Sequence, residues 1–138
     1  MVSAAAQQAG AQVTLIAGPV HLPTPHGVAR VDVESALQMQ AALQPALQEA
    51  DVLIAAAAVA DWRAAEVAAQ KMKKDGSGLP PPLRFVENPD LLAAAARSPR
   101  AQAGQLYCVG FAAESENLLA HAQAKRQRKG VPLLAGNI

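Results

Sequence analysis

The chain has 138 residues, a formal charge of +1, 51% hydrophobic residues and only 3% aromatics. That length sets one domain as the default and allows a real core. The near-neutral charge argues against a protein that coats nucleic acid, whose affinity comes from neutralising phosphates, and one cysteine, Cys108, excludes an intrachain disulfide or a cysteine zinc cage.

No stretch reaches the ~18–20 uninterrupted apolar residues of a membrane span. The N-terminus lacks the basic flank and long apolar core of a signal peptide. The expected setting is cytoplasmic, with neither membrane nor nucleic acid as a partner.

Residues 1–9 (MVSAAAQQA), stopped by Gly10, read as a helix. Residues 13–17 (VTLIA) read as a short buried strand closed by Gly18-Pro19. Helix, glycine turn and strand form the second half of a βαβ unit. The strand and loop that open such a unit are expected ahead of Met1, so the chain reads as cut at its front edge. Residues 20–27 (VHLPTPHG) form a loop in which His21 and His26 are expected to be exposed rather than metal-bound. A brief extended segment follows at residues 31–33. Ser35 and Gln38 fit a capping box that opens a helix with Leu37, Met39, Leu43 and Leu47 as its apolar positions. Pro45 is expected to kink or restart that helix, and Asp51 to end it.

Residues 52–59 (VLIAAAAV) contain no polar residue. This run predicts a central parallel strand covered on both faces. It turns at Ala60, Asp61 and Trp62, with Trp62 expected to pack. A cationic knot follows at Lys71, Lys73 and Lys74, then Asp75-Gly76-Ser77-Gly78 and three prolines, which predicts a mobile lid over residues 71–82. Residues 83–86 are extended. Asn88-Pro89-Asp90 predicts a helix start with Asn88 as N-cap, Pro89 as first residue and Asp90 in the first turn. That helix carries Leu91 and Leu92 and stops at Ser98-Pro99. Residues 106–111 form another strand, in which Cys108 is a core thiol. Ser115 caps the next helix, with Leu118, Leu119 and Ala122 inward. Its last turns, AKRQRKG, put Lys125 and Lys129 on one side. Residues 131–135 form a last strand, uncovered by any following helix, so the chain reads as cut at its back edge too. Alternating strands and helices predict an α/β, Rossmann-like three-layer fold with a mostly parallel sheet, as one incomplete domain over 1–138.

Ligands of such sheets gather at the C-terminal ends of the strands. Three predicted strand ends carry cargo: Asp61 with Trp62, Phe111 with Glu114, and Asn137. Asp61 could accept from a base or sugar, or cap a helix. Phe111 could face a base, or pack in the core. Lys71, Lys73, Lys74, Lys125 and Lys129 are the phosphate candidates; the competing reading of Lys125 and Lys129 is a solvated helix terminus. Neither GxxxxGK[ST] nor GxGxxG occurs, so P-loop and dinucleotide sites lack their anchors. His121 sits among polar residues and is expected to be exposed.

The ordered set AAAVADWR, KMKK, ENPDLL, VGFAAE and AKRQRK, with GPVHLPTP and VDVESALQM before it, resembles bacterial phosphopantothenoylcysteine synthetases. These CTP-dependent phosphopantothenate–cysteine ligases form the C-terminal half of the bifunctional coenzyme A biosynthesis protein. The resemblance covers essentially the whole chain. It implies a Rossmann-like dimer that activates the carboxylate of 4′-phosphopantothenate with CTP and Mg²⁺. Pyrophosphate leaves, and the amine of cysteine then displaces CMP from the acyl-cytidylate. It further implies that Ala55, Ala56 and Ala57 meet CTP through their backbone and that Asp61 binds the nucleotide. Lys71, first lysine of the family's KxKK motif, would serve catalysis in the cysteine half-reaction. Pro89, Asp90, Leu91 and Leu92 would contact CTP, Phe111 would lie against it, and Lys125 and Lys129 would stand beside it or its phosphates. No metal ligand and no flavin are expected in this chain.

Three parts of the family pattern have no counterpart among the 138 residues. One is the first strand with its Gly/Ser/Asn-rich loop and an asparagine that serves acyl-cytidylate formation. The others are the C-terminal strands and the flavin-dependent half. Of the Asn-Asp pair expected after the last strand, only Asn137 is present, followed by Ile138. The alternative to a ligase is therefore a non-catalytic fragment that acts as a dimerisation or regulatory module.

Overall fold

The computed structural model describes residues 2–74, 76–113 and 117–137. Helix α1 (Val2–Gln8) leads into strand β1 (Val13–Ala17), which pairs in parallel with β2 (Val28–Asp32). Strand β2 starts earlier than the extended segment read from the sequence. Its register puts Val13 opposite Val28 and Ala17 opposite Asp32.

Helix α2 (Ala36–Glu49) starts at Ser35, whose hydroxyl accepts from Gln38 N–H at 3.2 Å. The return bond of the capping box goes one residue further back than expected: Gln38 Oε1 accepts from Glu34 N–H at 2.6 Å. Pro45 neither ends nor restarts the helix, which runs through it. The packed turns on either side outweigh the one missing donor.

A second, three-stranded parallel sheet has the order β3 (Val52–Ala55), β6 (Tyr107–Ala113), β7 (Leu133–Asn137). The long apolar run thus yields only a four-residue strand, and it lies at the edge of its sheet among the described residues, not at the centre. Nor is it covered on both faces: Val52 is 52% and Ile54 39% exposed. Pairing with β6 ends at Ala55, and the alanines beyond have little β preference to extend it. The central strand is β6, bonded on both edges. Its Cys108, Gly110 and Ala112 are buried in alternation with more open neighbours.

After β3 the chain builds what the sequence reading did not anticipate, an antiparallel ribbon of β4 (Trp62–Ala64) and β5 (Phe85–Glu87). Trp62, expected to pack, is 61% exposed on it. A long loop joins the two strands. Its base is closed by the Ala65 N–H bond to Arg84 O at 2.8 Å and by an Arg84–Glu66 ion pair at 2.9 Å.

Helix α3 (Leu91–Ala96) and the short α4 (Pro99–Gln102) precede β6. Ser98, read as a stop, caps α4 by accepting from Ala101 N–H at 3.3 Å. Helix α5 (Leu118–Lys129) precedes β7 and ends on Gly130, whose φ of 68° a side chain would strain. The readings on Asp75, Glu114, Ser115 and Ile138 lie outside the described residues. Ala95, Ala96, Leu106, Cys108 and Val131 form the buried core, with Leu47, Ala50, Leu53, Leu92 and Leu134 against it. Helix α2 touches β1 and, through Leu47 and Ala50, this core. It therefore links the two sheets. Among the described residues no helix is long and apolar enough to cross a membrane.

Candidate functional site

Two of the expected site residues, Ala55 and Leu92, meet at Gly110 of β6, for a steric reason. Gly110 of β6 pairs with Ala55 of β3. A Cβ on Gly110 would stand 2.7 Å from Leu92 Cδ2 and 2.8 Å from Leu134 Cδ1. The missing side chain lets the first turn of α3 press onto the sheet. Phe111, half-buried, comes next in the strand. Ala56 and Ala57 continue from Ala55 as exposed, irregular backbone.

Helix α3 starts two residues later than expected. Its N-cap is Asp90, not Asn88: Asp90 Oδ1 accepts from Ala93 N–H at 3.0 Å. Asp90 Oδ2 accepts from Lys129 Nζ on α5. Lys129, read as either a phosphate ligand or a solvated terminus, is only 20% exposed in its side chain, so it is not simply held out in water. Burial alone would push the Asp90 carboxyl up. The hydrogen bonds from Lys129 and Ala93 N–H, and the charges of Lys129 and Arg97, outweigh burial and hold it below its usual 3.8.

Freed from capping, Asn88 bonds elsewhere. Its backbone N–H donates to Asp61 O at 2.7 Å, its Nδ2 to Ala60 O at 2.8 Å, and its Oδ1 accepts from Arg63 Nη1 at 3.2 Å. Asp61 is therefore not a strand end. It lies in a turn well past β3, fixed to the approach of α3. Arg63 also donates to Glu87 O at 2.6 Å.

Hydrogen bonds thus join Asp61 to Asn88 and Asp90 to Lys129, and Leu92 packs at Gly110 beside Ala55. Phe111 faces the other side of the sheet from Leu92, and Leu91 lies against α2. Lys125 lies one turn before Lys129, half-buried on the same side of α5. Lys71, Lys73 and Lys74 stand exposed on the β4–β5 loop, and among the described residues no hydrogen bond or ion pair joins them to these groups. His21, His26 and His121 are exposed as expected, and the described residues hold no group of three or more His, Cys, Asp or Glu placed to share a metal. Sequence reasoning missed Arg63 and gave Asn88 the wrong task. The signal was there in the two polar residues flanking Pro89, which must point to different partners.

Known proteins share this arrangement of elements. The chain is 45% identical over 137 residues to the coenzyme A biosynthesis bifunctional protein CoaBC of Escherichia coli strain K12, covering 99% of this chain and 33% of that protein. It spans about a third of the length of that relative. The crystal structure of the C-terminal domain of a CoaBC protein superposes with a TM-score of 0.81 at 29% identity, over 99% of this chain and 61% of that one. The DNA/pantothenate metabolism flavoprotein from Streptococcus pneumoniae matches in fold, with a TM-score of 0.74 at 17% identity, over 95% of this chain and 66% of that one. These neighbours share the α/β fold with mostly parallel strands. A family model matches residues 1–138 in full, and the chain belongs to the DNA/pantothenate metabolism flavoprotein C-terminal domain family.

Proposed function

We propose that this domain works in coenzyme A biosynthesis, as the nucleotide-facing part of a CTP-dependent ligase that joins 4′-phosphopantothenate to cysteine. The observation that carries this reading is that the start of α3 packs on Gly110 beside Ala55 and is tied through Asp90 to Lys129 of α5. Family membership and the coenzyme A biosynthesis role that the relatives' names state support it.

In this reading the small, exposed Ala56 and Ala57 let a nucleotide approach the backbone closely. Phe111 offers a ring beside it. Lys129 and Lys125 supply positive charge where phosphates gather. Lys71 rides on the β4–β5 loop and reaches the site when that loop closes as a lid over residues 71–82. Closure would exclude water from the acyl-cytidylate and bring the ammonium to the cysteine half-reaction. Mg²⁺ belongs with the nucleotide, where it neutralises phosphate charge.

The test is an assay of CTP, 4′-phosphopantothenate and cysteine, with the 138-residue chain and with a longer protein carrying an added strand and glycine-rich loop ahead of residue 1. The longer protein is expected to release pyrophosphate and form phosphopantothenoylcysteine. A well-folded longer protein that yields neither sinks the reading.

One observation favours a second reading, a dimerising module. Trp62 and Phe85 lie on the same face of the β4–β5 ribbon, 61% and 60% exposed. Sedimentation of the chain beside Trp62→Ser and Phe85→Ser decides this. A dimer that the substitutions split supports the module, and a monomer throughout removes it.

A further inference from the structure

Among the described residues Asn88 makes three hydrogen bonds, to the turn at Ala60 and Asp61 and to Arg63 of β4. Its backbone N–H and Nδ2 donate to Asp61 O and Ala60 O at 2.7 and 2.8 Å, and its Oδ1 accepts from Arg63 Nη1 at 3.2 Å. Arg63 closes the loop by donating to Glu87 O at 2.6 Å. Two residues on, Asp90 caps α3 and binds Lys129 of α5. Pro89 lies between them with its φ fixed by the ring. The segment 87–90 therefore ties the Asp61 turn, α3 and α5 together.

The chemistry explains why an amide stands there. The site asks one short side chain to donate to a carbonyl and accept from a guanidinium at once. Asparagine does both. Aspartate would keep the acceptor but set a carboxylate oxygen against Ala60 O, and alanine would leave a half-buried guanidinium and a carbonyl short of partners. The amide oxygen and nitrogen are thus both engaged within the protein, which leaves Asn88 to act through the groups it holds.

We propose that Asn88 is a positioning residue of the nucleotide pocket: it fixes the Asp61 turn against the start of α3, and hence against Lys129. The proposal rests on the nucleotide reading above, but its geometry can be tested without it. Asn88→Ala and Asn88→Asp are made in the 138-residue chain. CTP with Mg²⁺ is titrated by calorimetry, and amide exchange is followed at Trp62, Arg63 and Ala64 beside β6. Both variants are expected to bind CTP at least tenfold more weakly. Exchange at Trp62, Arg63 and Ala64 should quicken at least tenfold while β6 stays protected.

Unchanged CTP affinity overturns the proposal, as does exchange that rises equally everywhere, since that is a general loss of stability. If the unsubstituted chain takes up no CTP, the titration is repeated in the longer protein with the added strand and glycine-rich loop, and failure to bind there sinks the nucleotide reading. The clamp then stands or falls on whether exchange rises locally at residues 62–64. Should Asn88→Ala not fold, Asn88→Asp, of nearly the same volume, carries the same measurements.

Discussion

Single residues set the site's dimensions. Gly110 is the clearest case, because a Cβ there meets Leu92 and Leu134 well inside contact distance. Both are flexible side-chain ends, so Gly110→Ala should fold, with Leu92 displaced and a cost of about 1–3 kcal/mol in a denaturant titration. Asp90 supplies a pH signature. Its carboxyl titrates below 3.8 in the folded chain, so the unfolded chain takes up the proton first as pH falls. Its contribution is complete above the unfolded value and is lost as pH drops through the folded one. Asp90→Asn should therefore flatten the fall of stability with acid below about pH 4, read as melting temperature across that range. Cys108 is 1% exposed, and burial raises its thiol pKa. It should resist a thiol reagent in the native chain and react on unfolding.

At the scale of elements, the decisive contacts are those that close helix ends. Arg100 of α4 donates through Nη1 to Leu47 O and Ala50 O at 2.8 and 2.9 Å, and through Nη2 to Gln105 O at 3.3 Å. It thereby satisfies carbonyls that the end of α2 leaves open and ties α2 to the core side of β6. Arg100→Ala should cost about 1.5–3 kcal/mol, the range for hydrogen bonds to a charged group. Pro45 tells the opposite story. It sits inside α2 without breaking it, so Pro45→Ala should stabilise the chain by roughly 1–3 kcal/mol, seen as a raised melting temperature. Helix α2 was legible because its cap and apolar spacing are local. The β4–β5 ribbon was not, because its strands are three residues each and find one another across a long loop.

At the scale of the whole molecule, the sheet is in two pieces. Among the described residues β1 is bonded only to β2 and β3 only to β6, while α2 packs on both pieces. Both free edges belong to parallel strands. A right-handed crossover through α1 would set a preceding strand on the free edge of β1, in line to reach β3. In the 138-residue chain, amide exchange should be slowest in β6, bonded on both sides, and faster along β1 and β3. An added strand ahead of residue 1 should slow β1 and β3 together and raise the melting temperature.

The sequence by itself determined the alternation of strands and helices, the strand at residues 13–17, the Ser35 cap, the core placement of Cys108 and the family. Each depends on local pattern: periodicity, capping chemistry or an ordered set of motifs. Only the tertiary structure decided that β3 is short and at an edge, that Asp90 rather than Asn88 caps α3, and that Lys129 is held by Asp90. It also decided that Trp62 faces outward on a ribbon. Those outcomes turn on which distant group arrives to take a hydrogen bond or cover a face, as Ala60 and Arg63 do for Asn88. Spacing along the chain carries no record of that competition.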